Sequence, residues 1–173
     1  MSNLENEIDY QHFMSAALDQ AAGALKAGEF PVGCVMVHQY KIIASGTRRG
    51  TISGSRNETD HAEILALREI SKLETTPAPQ EITAFCTLEP CLMCFGALLI
   101  AGIGEIVYAY EDVMGGGTHC DLNRLPPLYS DNPVSIVPGI LRAESLALFK
   151  TFFSTPDCRY WNKSQLAKYT LDQ

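Results

Sequence analysis

Positive charge is scarce in this 173-residue chain, in which 13 Lys and Arg stand against 20 Asp and Glu, for a formal net charge of -7. This deficit disfavours a general nucleic-acid-binding protein, because phosphate contacts need a basic face. Long hydrophobic runs are also missing, since no apolar stretch reaches the ~18 residues of a membrane-spanning helix. The N-terminal sequence lacks the basic and apolar segments of a secretory signal. These absences predict a soluble, cytoplasmic protein with no membrane partner.

The six cysteines are expected to be reduced thiols rather than disulfides. They are Cys34, Cys86, Cys91, Cys94, Cys120 and Cys158. A chain without a secretory signal is expected in a reducing compartment, and its length suffices to build a hydrophobic core without disulfide support. Cys34 and Cys86 lie in apolar, strand-like runs and are expected to be buried as small hydrophobic residues. Some of the remaining thiols are candidates for metal binding.

Hydrophobic periodicity alternates along the chain between the helical and the extended pattern. Short strand-like runs occur at 34–37, 41–45, 82–87, 106–110 and 134–137. Segments with helical spacing lie before, between and after these runs, and the Gly-rich segment 46–57 is predicted to be a loop. Strands separated by helices predict a layered α/β domain with helices over both faces of the sheet.

Three residues in two short segments are candidate metal ligands: His61, Cys91 and Cys94. The two cysteines are expected one turn apart at a helix N-terminus, whose positive end favours the thiolate form that binds metal. Together with an imidazole they supply three ligands and leave a fourth position on zinc open, as a catalytic site requires. Two alternatives stay open: a redox-active Cys91–Cys94 pair, and a closed structural site completed by Cys86.

Glu63 is the candidate acid–base residue. It lies two residues after His61, so the ~100° rotation per helical residue points its side chain elsewhere and makes it an unsuitable partner ligand. Its carboxylate can instead take a proton from a water molecule on the open position and return it to a substrate ring nitrogen and a leaving amine. The alternative is a helix-capping carboxylate, because Asp60 and Glu63 have capping-box spacing. The combination of His-x-Glu with Pro-Cys-x-x-Cys is the pattern of zinc nucleobase deaminases, which favours the catalytic role.

These motifs resemble those of the cytidine and deoxycytidylate deaminase superfamily, and within it they are most similar to the bacterial tRNA adenosine deaminases. The resemblance rests on Pro-Val-Gly at 31–33, His-Ala-Glu-Ile at 61–64, Thr-Leu-Glu-Pro-Cys-Leu-Met-Cys at 87–94 and Gly-Ile-Leu at 139–141. It implies a three-layer α/β/α fold with a mixed central sheet of about five strands, a zinc-dependent deaminase domain over residues 1–153, and a homodimer. Residues 154–173 are expected to form a helical C-terminal extension packed on the same domain.

The resemblance also implies roles for individual residues. It implies one Zn²⁺ per chain, bound by His61, Cys91 and Cys94. It further implies that Glu63 shuttles the protons of the reaction.

The substrate contacts are less closely matched to the family. Val32 is expected in the pocket wall, and the backbone around Ala62 is expected to touch the base. Arg48 stands where the family usually has an asparagine, and it either meets a substrate phosphate or carbonyl or faces solvent, the outcome favoured for a long cation. Asn57 is a candidate replacement for the missing amide. Trp161 either closes the pocket as a lid or packs its ring on the domain, and packing is favoured.

The leading hypothesis is a zinc-dependent hydrolase of C–N bonds in cyclic amidines, which deaminates a nucleobase and is most like a tRNA adenosine-to-inosine deaminase. The alternative substrate is a free base, nucleoside or nucleotide of the cytosine, cytidine or guanine type. The acidic charge disfavours tRNA, because the phosphate contribution to binding would be small. A non-enzymatic alternative is a zinc-stabilised partner subunit, against which the presence of Glu63 argues.

Overall fold

A mixed five-stranded sheet organises the protein. The computed structural model describes residues 9–52, 57–156 and 158–173, so residues 53–56 of the predicted loop lie outside the described part. The strands are β1 (Gly33–His38), β2 (Lys41–Thr47), β3 (Thr83–Leu88), β4 (Glu105–Tyr110) and β5 (Ser135–Pro138). Their order is β2-β1-β3-β4-β5, with β1 antiparallel to both neighbours and β3, β4 and β5 parallel. The predicted mixed sheet is confirmed.

Helices cover this sheet and connect its strands. They are α1 (Tyr10–Lys26), α2 (Ala62–Ile70), α3 (Leu92–Ile100), α4 (Pro127–Ser130), α5 (Arg142–Phe153) and α6 (Gln165–Asp172). None of the helices in the described ranges is long and apolar enough to cross a lipid bilayer.

Strand side chains alternate between two hydrophobic cores, as the two-residue period of a strand requires. Val35 and Phe85 belong to the core formed with α1. Cys34 and Cys86 point the other way, into the core that contains the buried residues of α2 and α3. Helices therefore pack on both faces, which confirms the predicted α/β/α arrangement.

Two glycines allow α1 and α2 to approach the sheet closely. A Cβ atom on Gly46 would lie 1.9 Å from the carbonyl oxygen of Ala62, and one on Gly33 would lie 2.3 Å from that of Ala17. Neither position has room for a side chain, so glycine is required where the helix backbone touches the strand. The contact at Gly46 fixes the first turn of α2 against β2.

The last helix, α6, docks on the same body through apolar and polar contacts. Leu166 and Ala167 are buried in the core shared with α2, α3 and α5. Glu111 accepts hydrogen bonds from Arg142 and, at 2.7 Å, from the hydroxyl of Tyr169. The Arg142 guanidinium lowers the pKa of Glu111 to about 2. The boundary at residue 153 between a domain and an extension stays a prediction.

Candidate active site

The N-termini of α2 and α3 meet at one point beside the sheet. His61 is the N-cap residue of α2 and Cys91 that of α3, and neither side chain caps its own helix. The Nδ1 atom of His61 lies 3.5 Å from Sγ of Cys91 and 3.4 Å from Sγ of Cys94. The potential ligand atoms of all three residues lie within 4.8 Å of one another. The structure thus brings the predicted ligands together from two separate parts of the chain.

Hydrogen bonds and burial shift the pKa values of these three residues. The hydrogen bond from Cys94, followed by that from His61, lowers the pKa of Cys91 to about 4 against the opposing effect of burial. The same bond, together with burial, raises the pKa of Cys94. Burial alone would lower the pKa of His61, but its hydrogen bond to Cys91 and the nearby negative charges raise it overall. The lowered pKa of Cys91 favours its thiolate form, which is the form that binds a metal cation.

The donor set fits a zinc ion. One imidazole and two thiolates are ligands that Zn²⁺ prefers, and three protein ligands is the number typical of catalytic sites. No fourth His, Cys, Asp or Glu joins the group among residues 9–52, 57–156 and 158–173. Cys86, the candidate for closing the site, instead has its Sγ 3.8 Å from Sγ of Cys34. The interpretation as a closed site through Cys86 is therefore not supported.

Glu63 lies in the first turn of α2 and is only 3% exposed. Its Oε2 atom is buried and has no hydrogen-bond partner in the described part of the chain, and burial raises the pKa of this carboxyl group. The capping-box alternative is wrong, because the backbone N–H of Asp60 donates to Oδ1 of Asn57 and the Asp60 carboxylate accepts from Arg68. A buried carboxylate oxygen without a partner is costly to folding and requires an explanation.

A cavity of about 60 Å³ connects Glu63 to the metal-ligand group. It is lined by Phe30, Val32, Arg48, His61, Glu63, Leu88, Glu89, Cys91, Asp112, Gly115, Tyr160 and Trp161. A larger groove of about 480 Å³ runs along β2 and α2, but none of the candidate site residues lines it. The smaller cavity is the chemically relevant one, because it alone of the two holds titratable groups beside potential metal ligands.

The substrate-contact candidates occupy different positions. Val32 lines the cavity and Trp161 forms part of its wall with 38% of its surface exposed. Ala62 is fully buried against Gly46 and does not line the cavity. Asn57 also lies off the cavity lining, and its side-chain oxygen accepts hydrogen bonds from the backbone N–H groups of Thr59 and Asp60. Substrate contact by these four residues stays a prediction.

Arg48 does not face solvent, so that part of the expectation is wrong. Its side chain is only 2% exposed, and one of its guanidinium nitrogens donates to the carbonyl oxygens of Arg49 and Asn57. The other donates to Glu58 and to the Tyr160 hydroxyl. A buried cation is tolerated because these four acceptors replace its hydration.

Two buried carboxylates beside the cavity were missed by the sequence analysis. Glu89 accepts hydrogen bonds from the backbone N–H groups of Asp112 and Thr118. Asp112 in turn accepts from those of Met114 and Gly115. The two residues fix the Gly-rich loop that follows β4 against the cavity. The signal available in the sequence was an acidic residue directly before Pro90, at the start of a helix that contains two potential ligands.

A hydrolytic zinc centre at two helix N-termini, with a buried carboxylate beside it, defines a zinc-dependent deaminase when it is carried by this mixed α/β/α fold. The family model for the cytidine and deoxycytidylate deaminase zinc-binding region matches residues 7–110. The chain belongs to this family, and it is a hydrolase that acts on C–N bonds.

Known proteins similar to this chain include tRNA-specific adenosine deaminases. Identity is 30% over 161 residues with tRNA-specific adenosine deaminase 2 of Xenopus laevis, covering 88% of this chain and 91% of the relative. With the tRNA-specific adenosine deaminase of Streptococcus pyogenes serotype M18 it is 32% over 142 residues, covering 82% and 88%. A solved structure from a study of A-to-I editing by tRNA:A34 deaminases aligns with a TM-score of 0.67 and 29% identity, covering 79% of this chain and 98% of that one.

We expect the purified protein to carry one zinc ion per chain and Cys94→Ser to weaken zinc binding by at least ~100-fold. Even outer partners of metal ligands account for about 10–100-fold in affinity, so loss of a direct ligand costs at least as much. Elemental analysis after dialysis against a chelator measures the retained zinc. Cys120→Ser, which alters an exposed thiol outside the group, is the matched control. Full zinc retention in Cys94→Ser would contradict the assignment.

Proposed function

We propose that the protein hydrolytically deaminates a nucleobase, with adenosine in tRNA as the substrate, and that Glu63 is its catalytic acid–base residue. The observation that carries this proposal is that Glu63 lines the same cavity as His61 and Cys91, and that its buried Oε2 atom has no hydrogen-bond partner in the described part of the chain. Such an arrangement costs stability unless a reacting group uses the free oxygen.

Each residue has a chemical task in this reaction. His61, Cys91 and Cys94 would hold zinc, which when bound acts as a Lewis acid that activates the attacking water. Glu63 removes a proton from that water and delivers it to the ring nitrogen next to the amino-bearing carbon. A carbon–oxygen bond forms, Glu63 transfers the remaining proton of the added hydroxyl to the amine, and the carbon–nitrogen bond breaks to release ammonia as the carbonyl forms.

The lining of the cavity supports a planar, partly apolar substrate. Phe30, Val32 and Leu88 supply apolar surface next to the carboxylate and the ligand group. Small-molecule sites usually have apolar walls that carry a small number of polar groups. A base removed from its stack and inserted here would present its amino group towards Glu63.

The similarity to tRNA-specific adenosine deaminases supports tRNA as the substrate. One exposed cation next to the cavity lining in sequence agrees with it. Arg159 is exposed and directly precedes the lining residue Tyr160. A cation at this position would supply a phosphate contact even though the whole chain is acidic.

A second candidate is a deaminase of a free base, nucleoside or nucleotide. The formal charge of -7 favours it. This charge disfavours a large polyanion, because the phosphates of the polyanion would meet an acidic protein.

We further propose that two copies of the chain pair through α3. This helix contains no charged residue, and Leu92 and Ile100 on it are 63% and 57% exposed. A Cβ atom added at Gly96 would meet nothing within 4 Å, so a second backbone can approach there. An exposed apolar face of this kind fits an isologous dimer contact, in which the same patch serves both subunits.

Glu63→Gln should lower turnover by about 10²–10⁴-fold, the usual contribution of general acid–base catalysis, while zinc remains bound. Ammonia release from an adenosine-containing anticodon stem-loop, and from free bases, nucleosides and nucleotides, measures the activity. Glu69→Gln changes an exposed carboxylate on the same helix, paired with Lys72, and is the matched control. Wild-type turnover in Glu63→Gln would remove the assigned role. A zinc-loaded wild type that turns over none of these substrates would support the partner-subunit alternative.

Salt dependence should separate the two substrate candidates. A stem-loop bound through phosphates loses affinity with a slope of about 0.7 per contact in a plot of log K against log salt, whereas a neutral nucleoside shows little slope. Arg159→Gln should reduce that slope. Lys41→Gln is the control, because Lys41 begins β2 at the end of the β1–β2 hairpin farthest from Val32 and Arg48. A flat salt response of stem-loop binding would argue for the small substrate.

Ile100→Glu should convert a dimer to a monomer, because two buried carboxylates would face each other across the symmetric contact. Light scattering after size-exclusion chromatography gives the mass. Ile42→Glu alters an isoleucine of similar exposure on β2 and should leave the mass unchanged. A monomeric wild type, or a dimeric Ile100→Glu variant, would exclude this interface.

A further inference from the structure

Arg48 joins two parts of the chain that are far apart in sequence. Three of its four acceptors, the Arg49 and Asn57 carbonyls and the Glu58 carboxylate, lie in the segment between β2 and α2. The fourth is the hydroxyl of Tyr160, which it contacts at 3.3 Å. Tyr160 also donates to Glu58 at 2.8 Å, so the arginine, the glutamate and the tyrosine close a triangle of hydrogen bonds.

This triangle lies next to aromatic residues that form one wall of the cavity. The rings of Tyr160 and Trp161 are stacked, 4.8 Å apart and inclined by 15°. Phe30 contacts both rings, at centroid distances of 5.4 and 5.8 Å. All three residues line the cavity that contains Glu63. The position of Trp161 therefore depends on how Tyr160 is held.

The backbone of Trp161 has a conformation that a bulky residue disfavours. Trp161 has φ of 51°, in the left-handed region that bulky residues avoid. Such a conformation persists only where the surroundings fix it. The contacts of Tyr160 with Arg48, Glu58 and Phe30 are the restraints next to it along the chain.

The cavity is too small for a nucleobase while this wall is in place. Its volume of about 60 Å³ is far below the 300–1,000 Å³ usual for small-molecule sites. The other walls come from β-sheet residues, helix N-termini and the loop fixed by Glu89, whereas Tyr160 and Trp161 belong to the irregular segment before α6. Because that segment has no regular secondary structure, its movement is a way to enlarge the space that leaves the sheet and the helices in place.

We propose that Arg48 is a positioning residue that fastens the Tyr160–Trp161 wall over the cavity and thereby limits the size of the substrate that reaches Glu63. The size limit rests on the proposed deaminase function, whereas the fastening does not. Tyr160 remains a neutral hydrogen-bond donor at all physiological pH values, because burial raises its pKa to about 12. The contact therefore persists across the pH range in which the enzyme would work.

Tyr160→Phe isolates the fastening contact. It removes the hydroxyl that Arg48 and Glu58 bind but keeps the ring that stacks on Trp161 and contacts Phe30. Arg48→Met removes the other partner of this contact, the guanidinium, and it also leaves the Asn57 carbonyl without this donor. Tyr169→Phe is the matched control, since it removes a tyrosine hydroxyl that binds Glu111 from α6 in the same C-terminal segment.

Trp161 is the only tryptophan of the chain, so intrinsic fluorescence reports on this wall alone. Acrylamide quenching should rise roughly twofold in Tyr160→Phe and Arg48→Met, because a ring now 38% exposed becomes accessible when the segment is released. Tyr169→Phe should match the wild type. Wild-type quenching in both Tyr160→Phe and Arg48→Met, or an equal rise in Tyr169→Phe, would overturn the fastening role.

Kinetics test the size limit. The ratio of kcat/KM for an anticodon stem-loop to that for free adenosine should rise severalfold in Tyr160→Phe and stay at the wild-type value in Tyr169→Phe. Raised quenching with an unchanged ratio would overturn the size limit. If zinc-loaded wild type releases no ammonia from any base, nucleoside, nucleotide or stem-loop, the proposed function and the size limit that rests on it both fail. The quenching result still decides whether Arg48 fastens the wall.

Discussion

The positive ends of two helices converge on one small volume, and the chemistry of the protein depends on that convergence. α2 begins after His61 and α3 after Cys91, and neither helix uses the side chain of its N-cap residue to satisfy its own first turn. The uncapped backbone N–H groups favour negative charge, which stabilises thiolate at the point where both sulfurs lie within reach of one imidazole. The metal site is thus a product of helix placement as much as of ligand identity.

Close packing against the sheet fixes the position of the first turn of α2. The first turn of α2 can lie against β2 only because residue 46 has no side chain, since a Cβ atom there would overlap the Ala62 carbonyl. His61 and Glu63 are the residues on either side of Ala62, so this contact also restrains their backbone positions. A carboxylate that must act within hydrogen-bond distance of a reacting atom needs such a support, because errors of about 1 Å already cost much of the rate.

The sequence predicted the elements and the pair of cysteine ligands because both are encoded locally, whereas His61 was assigned through its motif. Cys91 and Cys94 share one helical turn, and the strand patterns repeat every two residues. Arg48 was misjudged for the opposite reason, since the acceptors that replace its hydration include Asn57, Glu58 and Tyr160, which lie 9, 10 and 112 residues further along the chain. Phe30 was not recognised as a lining residue for the same reason, because its aromatic neighbours come from α5 and from the segment before α6. Side-chain composition alone does not show such distant partners.

The residues proposed to react and the aromatic wall of Tyr160 and Trp161 come from separate stretches of the chain. The metal ligands and Glu63 lie between residues 61 and 94, whereas Tyr160 and Trp161 lie near the end of the described chain. Under the proposed size limit, mutations in the later stretch would alter which molecules are accepted without changing the metal ligands or Glu63. This separation allows selectivity to evolve independently, because related proteins can change their substrates while they retain the same catalytic residues.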